Sequence, residues 1–561
     1  MYTHAVAGLE KILPIRKNPN PHFHKKTLTF RPLQNENNKN MQVSDDLFNL
    51  IKSLTKAEKR YFKMHASLQK GEKDYLLLFD EIESQVAQHK EEEALGYDEA
   101  MLKGRLKNKI SQSQFHVMKN YLTGLILKSL RGLREKSNIE EQIATLMSEA
   151  RLLEQKGLYE MCLKKLETLK AACLKYERYT TIIEVLEMER ILYARTSTNM
   201  IEDRLEKTKA EMDRYVHLIQ NTLAYSDLRQ RMLAFYRRDN RARSESAQQK
   251  LAAMLDEALL QDEGMPATFQ SKISFYHAWA MLSFMQGDLI AANKYYKSLS
   301  NVWIGYPHFK EEYPSTYIIY TSNYLVSCHM AKDYGPFEQL LEELKGTPTR
   351  SLYEEAEAFQ NICFLEQLYF MNKEIFGQAA ATVAKAKSLA TEIENGLKKH
   401  GNKIVKSREL SIIHNSVVMF FALGLYDEVL HWVSKIQSSN STDQRKEVQL
   451  FARLVQLLIY TEKGEHLYID NAFKAFEYHL KKEDKQHDFE GKVTYFLKQI
   501  AARKQDKKTI FTQFKEELKR FESQKLPGHE EISIWVESKL QNKPFLEILK
   551  EKMLEQPEQG G

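Results

Sequence analysis

Beyond Met41 the chain is built almost entirely of helix formers. Leu, Glu, Lys, Ala and Gln dominate there, while Gly and Pro are rare inside the periodic stretches. Apolar positions recur at three and four residues, first as Leu47, Leu50, Ile51 and Leu54, then as Tyr61, Phe62, Met64 and His65. Further stripes run through Tyr75 to Val86, Ile110 to Leu130 and Ile139 to Leu153. Ser44 and Asp45 stand as caps ahead of the first stripe, and Thr55 with Glu58 makes a capping-box pattern ahead of the second. No convincing strand alternation interrupts them. The expectation is an all-α protein with short connections. At 561 residues the chain exceeds what one compact core serves, so it forms several domains or one elongated array.

Three places carry one local signature: Gln155 to Cys162 around Gly157, Met285 to Ala292 around Gly287, and Ala422 to Val429 around Gly424. In each, an amphipathic helix ends at Gly, a bulky residue follows two positions later, and a small or β-branched residue stands five positions after the Gly. Gly takes the left-handed conformation that closes a helix, the bulky residue plugs the hairpin, and the small one lets two helices approach. This resembles the turn of the tetratricopeptide repeat, a helical hairpin of about 34 residues that stacks into a superhelix. Ala150, Ala280 and Val417 fall where that family places a small residue in its first helix, and Leu166, Tyr296 and Val433 match in the second. The usual closing proline is missing, since Leu174, Ile304 and Ser441 stand there. Weaker turns lie at Lys332-Asp333-Tyr334 and Lys463-Gly464-Glu465. The resemblance implies a right-handed α-solenoid of degenerate tetratricopeptide-like hairpins behind an N-terminal helical domain. Two other stretches, Ser53 to Lys63 and Ile532 to Leu540, look like the ends of an uncharacterised bacterial family of helical-repeat proteins, which implies no activity.

Residues 1–40 differ from the rest. They hold Pro14, Pro19, Pro21 and Pro32 and the polar run Gln34 to Asn40, without a sustained helical period. A start assigned too far upstream produces this picture, as does a flexible basic arm; the first is the preferred reading. The expected organisation is then an N-terminal helical domain over 41–137, the first half of a repeat array over 138–350, its second half with a C-terminal cap over 351–550, and a flexible tail over 551–561.

The net charge of +6 sits at the front. Residues 1–40 hold seven Lys or Arg against Glu10 and Glu36; removing these from totals of 82 basic and 76 acidic residues leaves 75 and 74. The body is balanced, which removes the global argument for a polyanion partner. Cys162, Cys173, Cys328 and Cys363 are widely spaced, with no CxxC pair and no His at zinc-ligand spacing, which fits a reducing compartment and buried thiols. No metal and no cofactor is expected. No apolar run approaches the roughly 20 residues of a membrane span, and the expected location is the cytoplasm. Motifs for nucleotide binding, zinc proteolysis, serine hydrolysis or calcium binding are absent, so no catalytic residue is assigned.

The favoured function is a non-catalytic protein-interaction scaffold that takes a protein or peptide in a helical-repeat groove. The densest run of aromatics, between Tyr295 and Tyr324, supplies its candidate partner-binding residues. These are Trp303, Tyr306 and Phe309 on an expected long connection from Asn301 to Pro314, and Tyr317, Tyr320 and Tyr324 on one helical stripe. The preferred reading of this stripe is nevertheless that it packs a core between neighbouring helices, with partner binding as the sharper hypothesis. One alternative is a nucleic-acid-associated regulator using a polyanion patch of Lys103, Arg105, Lys107 and Lys109, with Arg237, Arg238, Arg241 and Arg243, and a further basic run from Lys398 to Arg408. A second alternative is an enzyme with no recognisable motif.

Overall fold

A computed structural model describes residues 45–555 except 68–72, 92–96, 108, 135–137, 197–200, 239–244, 439–445, 465, 483–487, 503–505, 523–525 and 527. The expected N-terminal arm, Arg241, Arg243 and residues 556–561 of the expected tail lie outside the described residues. All regular structure among the described residues is helical. The chain divides into two compact units that meet between Leu223 and Ala224, so the array expected over 138–350 is shared between them.

The first unit contains α1 (Asp46–Ser53), α2 (Lys56–Ser67), α3 (Asp74–Glu91), α4 (Glu99–Arg105), α5 (Gln112–Arg134), α6 (Ile139–Gln155), α7 (Tyr159–Lys175), α8 (Tyr179–Thr196) and α9 (Ile201–Arg238) up to Leu223. The capping box opens α2: the Thr55 amide donates to Glu58 at 2.8 Å and the Glu58 amide to Thr55 Oγ1 at 3.1 Å. Asp45 occupies the N-cap of α1 without a side-chain cap bond. Helix α5 packs on α1, α2 and α3 around Phe62, Phe79, Ile82 and Ile126, a core distinct from that of α6 to α8.

The second unit continues with α10 (Glu245–Leu255), α11 (Phe269–Gln286), α12 (Leu289–Gly305), α13 (Pro307–Glu312), α14 (Pro314–Met330), α15 (Phe337–Lys345), α16 (Leu352–Asn372) and α17 (Ala379–His400). After these come α18 (Lys406–Ala422), α19 (Tyr426–Gln437), α20 (Lys446–Lys463), α21 (His466–Lys482), α22 (Asp488–Ala502), α23 (Lys507–Lys519), α24 (His529–Gln541) and α25 (Phe545–Glu555). Helix α25 therefore takes in the first five residues of the expected tail. Helices α12, α14, α16, α18, α20 and α22 pack in series, each on the next, while α15, α17, α19 and α21 pair with their neighbours in the chain. Apart from α12, which buries only Ala292, Leu299 and Trp303, the two sets differ in burial. In α18 every residue from Leu410 to Ala422 is buried, and in α14 nearly all from Tyr317 to His329, whereas α15 buries only Phe337, Leu341 and Leu344. A helix buried on all faces sits inside a unit, and one with a single stripe covers it.

The turns share one geometry. Gly157, Gly287 and Gly424 have φ of 73°, 84° and 70°. The residue after each donates back across the helix end: Leu158 to Leu153 at 2.9 Å, Asp288 to Ser283 at 2.9 Å and Leu425 to Phe420 at 3.0 Å. Each turn joins one of the three most extensively packed helix pairs among the described residues, α6 with α7, α11 with α12, and α18 with α19. Two more turns have the same bonds on non-glycine residues. Glu177 has φ 53° and is followed by Arg178 donating to Cys173 at 2.8 Å; Lys332 has φ 59° and is followed by Asp333 donating to Cys328 at 2.8 Å. Five positions after each left-handed residue stands a fully buried one: Cys162, Ile182, Ala292, Phe337 or Val429.

Candidate functional site

The aromatic run does not form an exposed loop. Helix α12 continues to Gly305, Tyr306 alone makes the bend, and Pro307 and Pro314 take the first positions of α13 and α14, where a missing N–H costs nothing. Phe269, at the start of α11, is the hub. It stacks on Phe309 at 4.2 Å between ring centres, meets Trp303 edge-on at 4.9 Å and lies 5.3 Å from Tyr306. Trp303, Phe309, Tyr317, Tyr320 and Tyr324 are all buried, and only Tyr306 is half-buried. The reading of Trp303 and Phe309 as exposed anchors is corrected accordingly: they hold α11 to α14 together, and a partner reaches them only by opening that packing. The Tyr317 hydroxyl donates to Glu343 at 2.6 Å, and the Tyr320 hydroxyl accepts from Arg229 Nη1 at 2.9 Å.

The basic residues divide. Lys103 and Lys119 both pair with Glu99, at 2.7 and 2.8 Å, and Arg105 pairs with Glu81 at 2.9 Å. Burial raises the Glu99 pKa, but the hydrogen bonds and charges of these two lysines outweigh it and hold the carboxyl at about 2. Lys107 and Lys109 are exposed, as are Arg237 and Arg238, the latter lying over the Phe235 ring at 5.9 Å. In the run from Lys398 to Arg408, Lys406 pairs with Glu409, and Arg408 is buried against Asn361 at 3.2 Å.

No group of three or more potential metal ligands occurs among the described residues. All four cysteines are buried, and burial pushes their thiols up, Cys173 to about 11 and Cys328 to about 12. Such thiols are poor nucleophiles. No described helix is long and apolar enough to cross a membrane.

What the structure brings together is polar and lies inside the second unit. Gln367 Nε2 on α16 donates to Ser416 Oγ and to the Ile412 carbonyl of α18, both at 2.9 Å, and Gln360 accepts the Val405 amide at 3.1 Å. On α11, His277 is 3% exposed, packed edge-on against Tyr320 at 5.1 Å, and neither of its ring nitrogens has a hydrogen-bond partner. Burial, reinforced by the Arg229 charge, pushes its pKa down to about 3, so the imidazole is neutral at pH 7. Beside this cluster the packing opens into a slot of ≈ 50 Å³. Its walls are Tyr236 from α9, Met281 and Phe284 from α11, Leu289, Ala292 and Tyr296 from α12, and Asn323, Val326, Ser327 and Met330 from α14. Asn323 is 93% buried, and its Nδ2 has no hydrogen-bond partner. Gly287 and its bulky follower Leu289 were legible as a turn; Tyr236 and Asn323, which complete the slot from distant helices, carried no sequence signal.

No protein-family model matches this chain, and no curated protein and no solved structure matches it significantly.

Proposed function

We propose that the chain is a non-catalytic cytoplasmic scaffold, a right-handed α-solenoid of degenerate tetratricopeptide-like hairpins that binds a protein or peptide. The observation that carries this reading is the series α12, α14, α16, α18, α20 and α22, each member packed on the next and joined by helices that bury only one stripe. Repeated hairpins of this kind extend a surface rather than enclose a reaction centre. The recurring left-handed turns at Gly157, Glu177, Gly287, Lys332 and Gly424 support one repeated unit. Complete burial of α18 from Leu410 to Ala422 moves the binding surface away from the middle of the inner helices and toward hairpin ends and covering helices.

Nucleic acid is the weaker reading, because Lys103 and Arg105 are already neutralised by carboxylates. Affinity capture of the full chain from its own lysate, with and without nuclease, separates the two. The scaffold reading expects a partner that survives nuclease and rebinds after purification; loss of every partner on nuclease treatment overturns it.

A further inference from the structure

We propose that the outer faces of α2 and α5, in the first unit, form a docking surface for an amphipathic helix of a partner protein that flanks its apolar stripe with Asp and Glu. These two helices lie outside the series α12 to α22, so the surface goes beyond the scaffold reading and does not rest on it.

Helix α5 buries Phe115, Leu122, Ile126 and Ser129 and turns its opposite side to water. Along that side Val117, Tyr121, Gly124 and Lys128 recur at four, three and four residues, so they form one stripe. Helix α2 packs along α5 beside it. The Tyr61 hydroxyl lies 3.4 Å from where a Cβ on Gly132 would stand, and the Ala66 carbonyl accepts at 3.2 Å from Tyr75, whose ring meets Tyr121 edge-on at 5.6 Å. On the solvent side of α2, Arg60 and Met64 stand one turn apart. Val117, Tyr121 and Met64 each leave half or more of their surface in water. Exposed apolar groups in rows on two packed helices suit a third helix, which lays its own stripe between them.

Charge selects the occupant. Helix α5 carries no Asp or Glu in its 23 residues, and Glu58, the one acidic residue of α2, is held in the capping box. Arg60 and Lys128 are exposed and make no ion pair with any described residue, and the Arg131 side chain, 73% exposed, reaches Glu141 only at 3.6 Å. The face is therefore basic and apolar at once. An acidic helix matches its cations, whereas a second copy of this face would oppose like charges. A phosphate backbone would use the cations and leave Val117 and Met64 without contacts. Gly124 is the independent observation. It sits in the middle of α5, where glycine weakens a helix, and a Cβ built on it meets no heavy atom within 4 Å. Gly132, later on the same helix, already has Tyr61 against it. No described neighbour requires the missing side chain of Gly124; a helix crossing α5 there does, because glycine lets two backbones approach closely.

The test measures fluorescence anisotropy of a labelled, capped peptide, Glu-Leu-Ala-Glu-Leu-Leu-Glu written twice, titrated with the full chain at low salt. As a helix it is about 21 Å long, enough to cover the stripe from Val117 to Lys128, which is about 17 Å. It should bind saturably, and the same peptide with every Glu replaced by Lys at least tenfold more weakly. The double variant Arg60→Glu, Lys128→Glu should reverse that preference. Val117→Ser should weaken the glutamate peptide by removing apolar contact. Gly124→Gln should weaken it at least tenfold by blocking close approach, yet melt no lower than wild type, since Gln is the better helix former. Thermal melts check that every variant folds, and all four positions are exposed. No saturable binding, equal binding of the lysine peptide, or unchanged binding in either the charge-reversed or the Gly124→Gln protein overturns the proposal. A random-sequence DNA duplex, or vesicles of phosphatidylserine in phosphatidylcholine, that bind more tightly than the glutamate peptide and are lost in the charge-reversed protein overturn it in favour of a nucleic acid or a membrane. If the peptide does not bind and a nuclease-resistant partner is still captured from lysate, this proposal falls and the scaffold reading stands.

Discussion

Replacing His277 by Phe should flatten the pH dependence of stability in the second unit. The folded pKa of about 3 lies below the ordinary value of 6.5, because burial disfavours the imidazolium and the Arg229 guanidinium repels it. Between those two values the unfolded chain binds a proton that the folded chain does not, so stability is complete above pH 6.5 and falls as the pH drops toward 3. At about 1.4 kcal/mol per pH unit, the loss from this one group between pH 7 and pH 5 is about 2 kcal/mol. His329 is also buried, and burial pushes its pKa down to about 4, so it adds a similar amount over the same window. Buried Glu357 and half-buried Glu366, whose pKa values are raised chiefly by desolvation, act in the opposite direction. Comparing wild type with His277→Phe cancels the contributions the two proteins share. Phe keeps the ring that packs on Tyr320 and removes two nitrogens without partners, so the variant should be no less stable at pH 7. The assay is urea unfolding followed by tryptophan fluorescence at pH 7 and pH 5, with Trp279 and Trp303 on the two helices of this hairpin as reporters. Wild type should lose about 2 kcal/mol more than the variant over that interval. Equal losses would show that the imidazole is charged or solvated in the fold and refute the reasoning.

Three further perturbations have definite outcomes. Val at Gly157, Gly287 or Gly424 should cost about 1 kcal/mol or more, because a β-branched residue is strained at positive φ; three unchanged melting curves would contradict the turn geometry. Ala at Gly396 should cost about 2–3 kcal/mol, since its Cβ would come within 2.0 Å of the Phe359 ring, and a wild-type melting temperature would show that this ring moves freely. Trp303→Ala and Phe309→Ala should each cost about 3–5 kcal/mol by emptying the cluster around Phe269; unchanged stability would return these side chains to the surface.

Helicity and the principal turns were legible because both are written in local residues. Gly at a left-handed position, a bulky residue two places on and a small one five places on act within a single hairpin, so Gly157, Gly287 and Gly424 could be read without knowing what surrounds them. Glu177 escaped, because its left-handed backbone has no glycine to mark it. Yet Tyr179 and the buried Ile182 stand at the same offsets as their counterparts elsewhere, and a search on offsets alone would have found the turn. The aromatic run was visible, but its orientation was not. Period 3.6 shows that Tyr317, Tyr320 and Tyr324 share a face, while whether that face meets water depends on Phe269 and Arg229, which lie 48 and 88 residues before Tyr317 in the chain.

The same distinction explains why the slot was invisible. Its lining comes from four helices between Tyr236 and Met330, and each of those residues reads as ordinary core when taken alone. Asn323 is the exception in retrospect: on α14 it interrupts a helix buried on nearly every face, between Ser322 and Tyr324. An amide at such a position needs partners. Its Nδ2 is buried without a partner, but so are Gln367 Oε1 on α16 and Asn415 Nδ2 on α18, so unmatched amide atoms recur along the inner helices and Asn323 by itself marks no ligand.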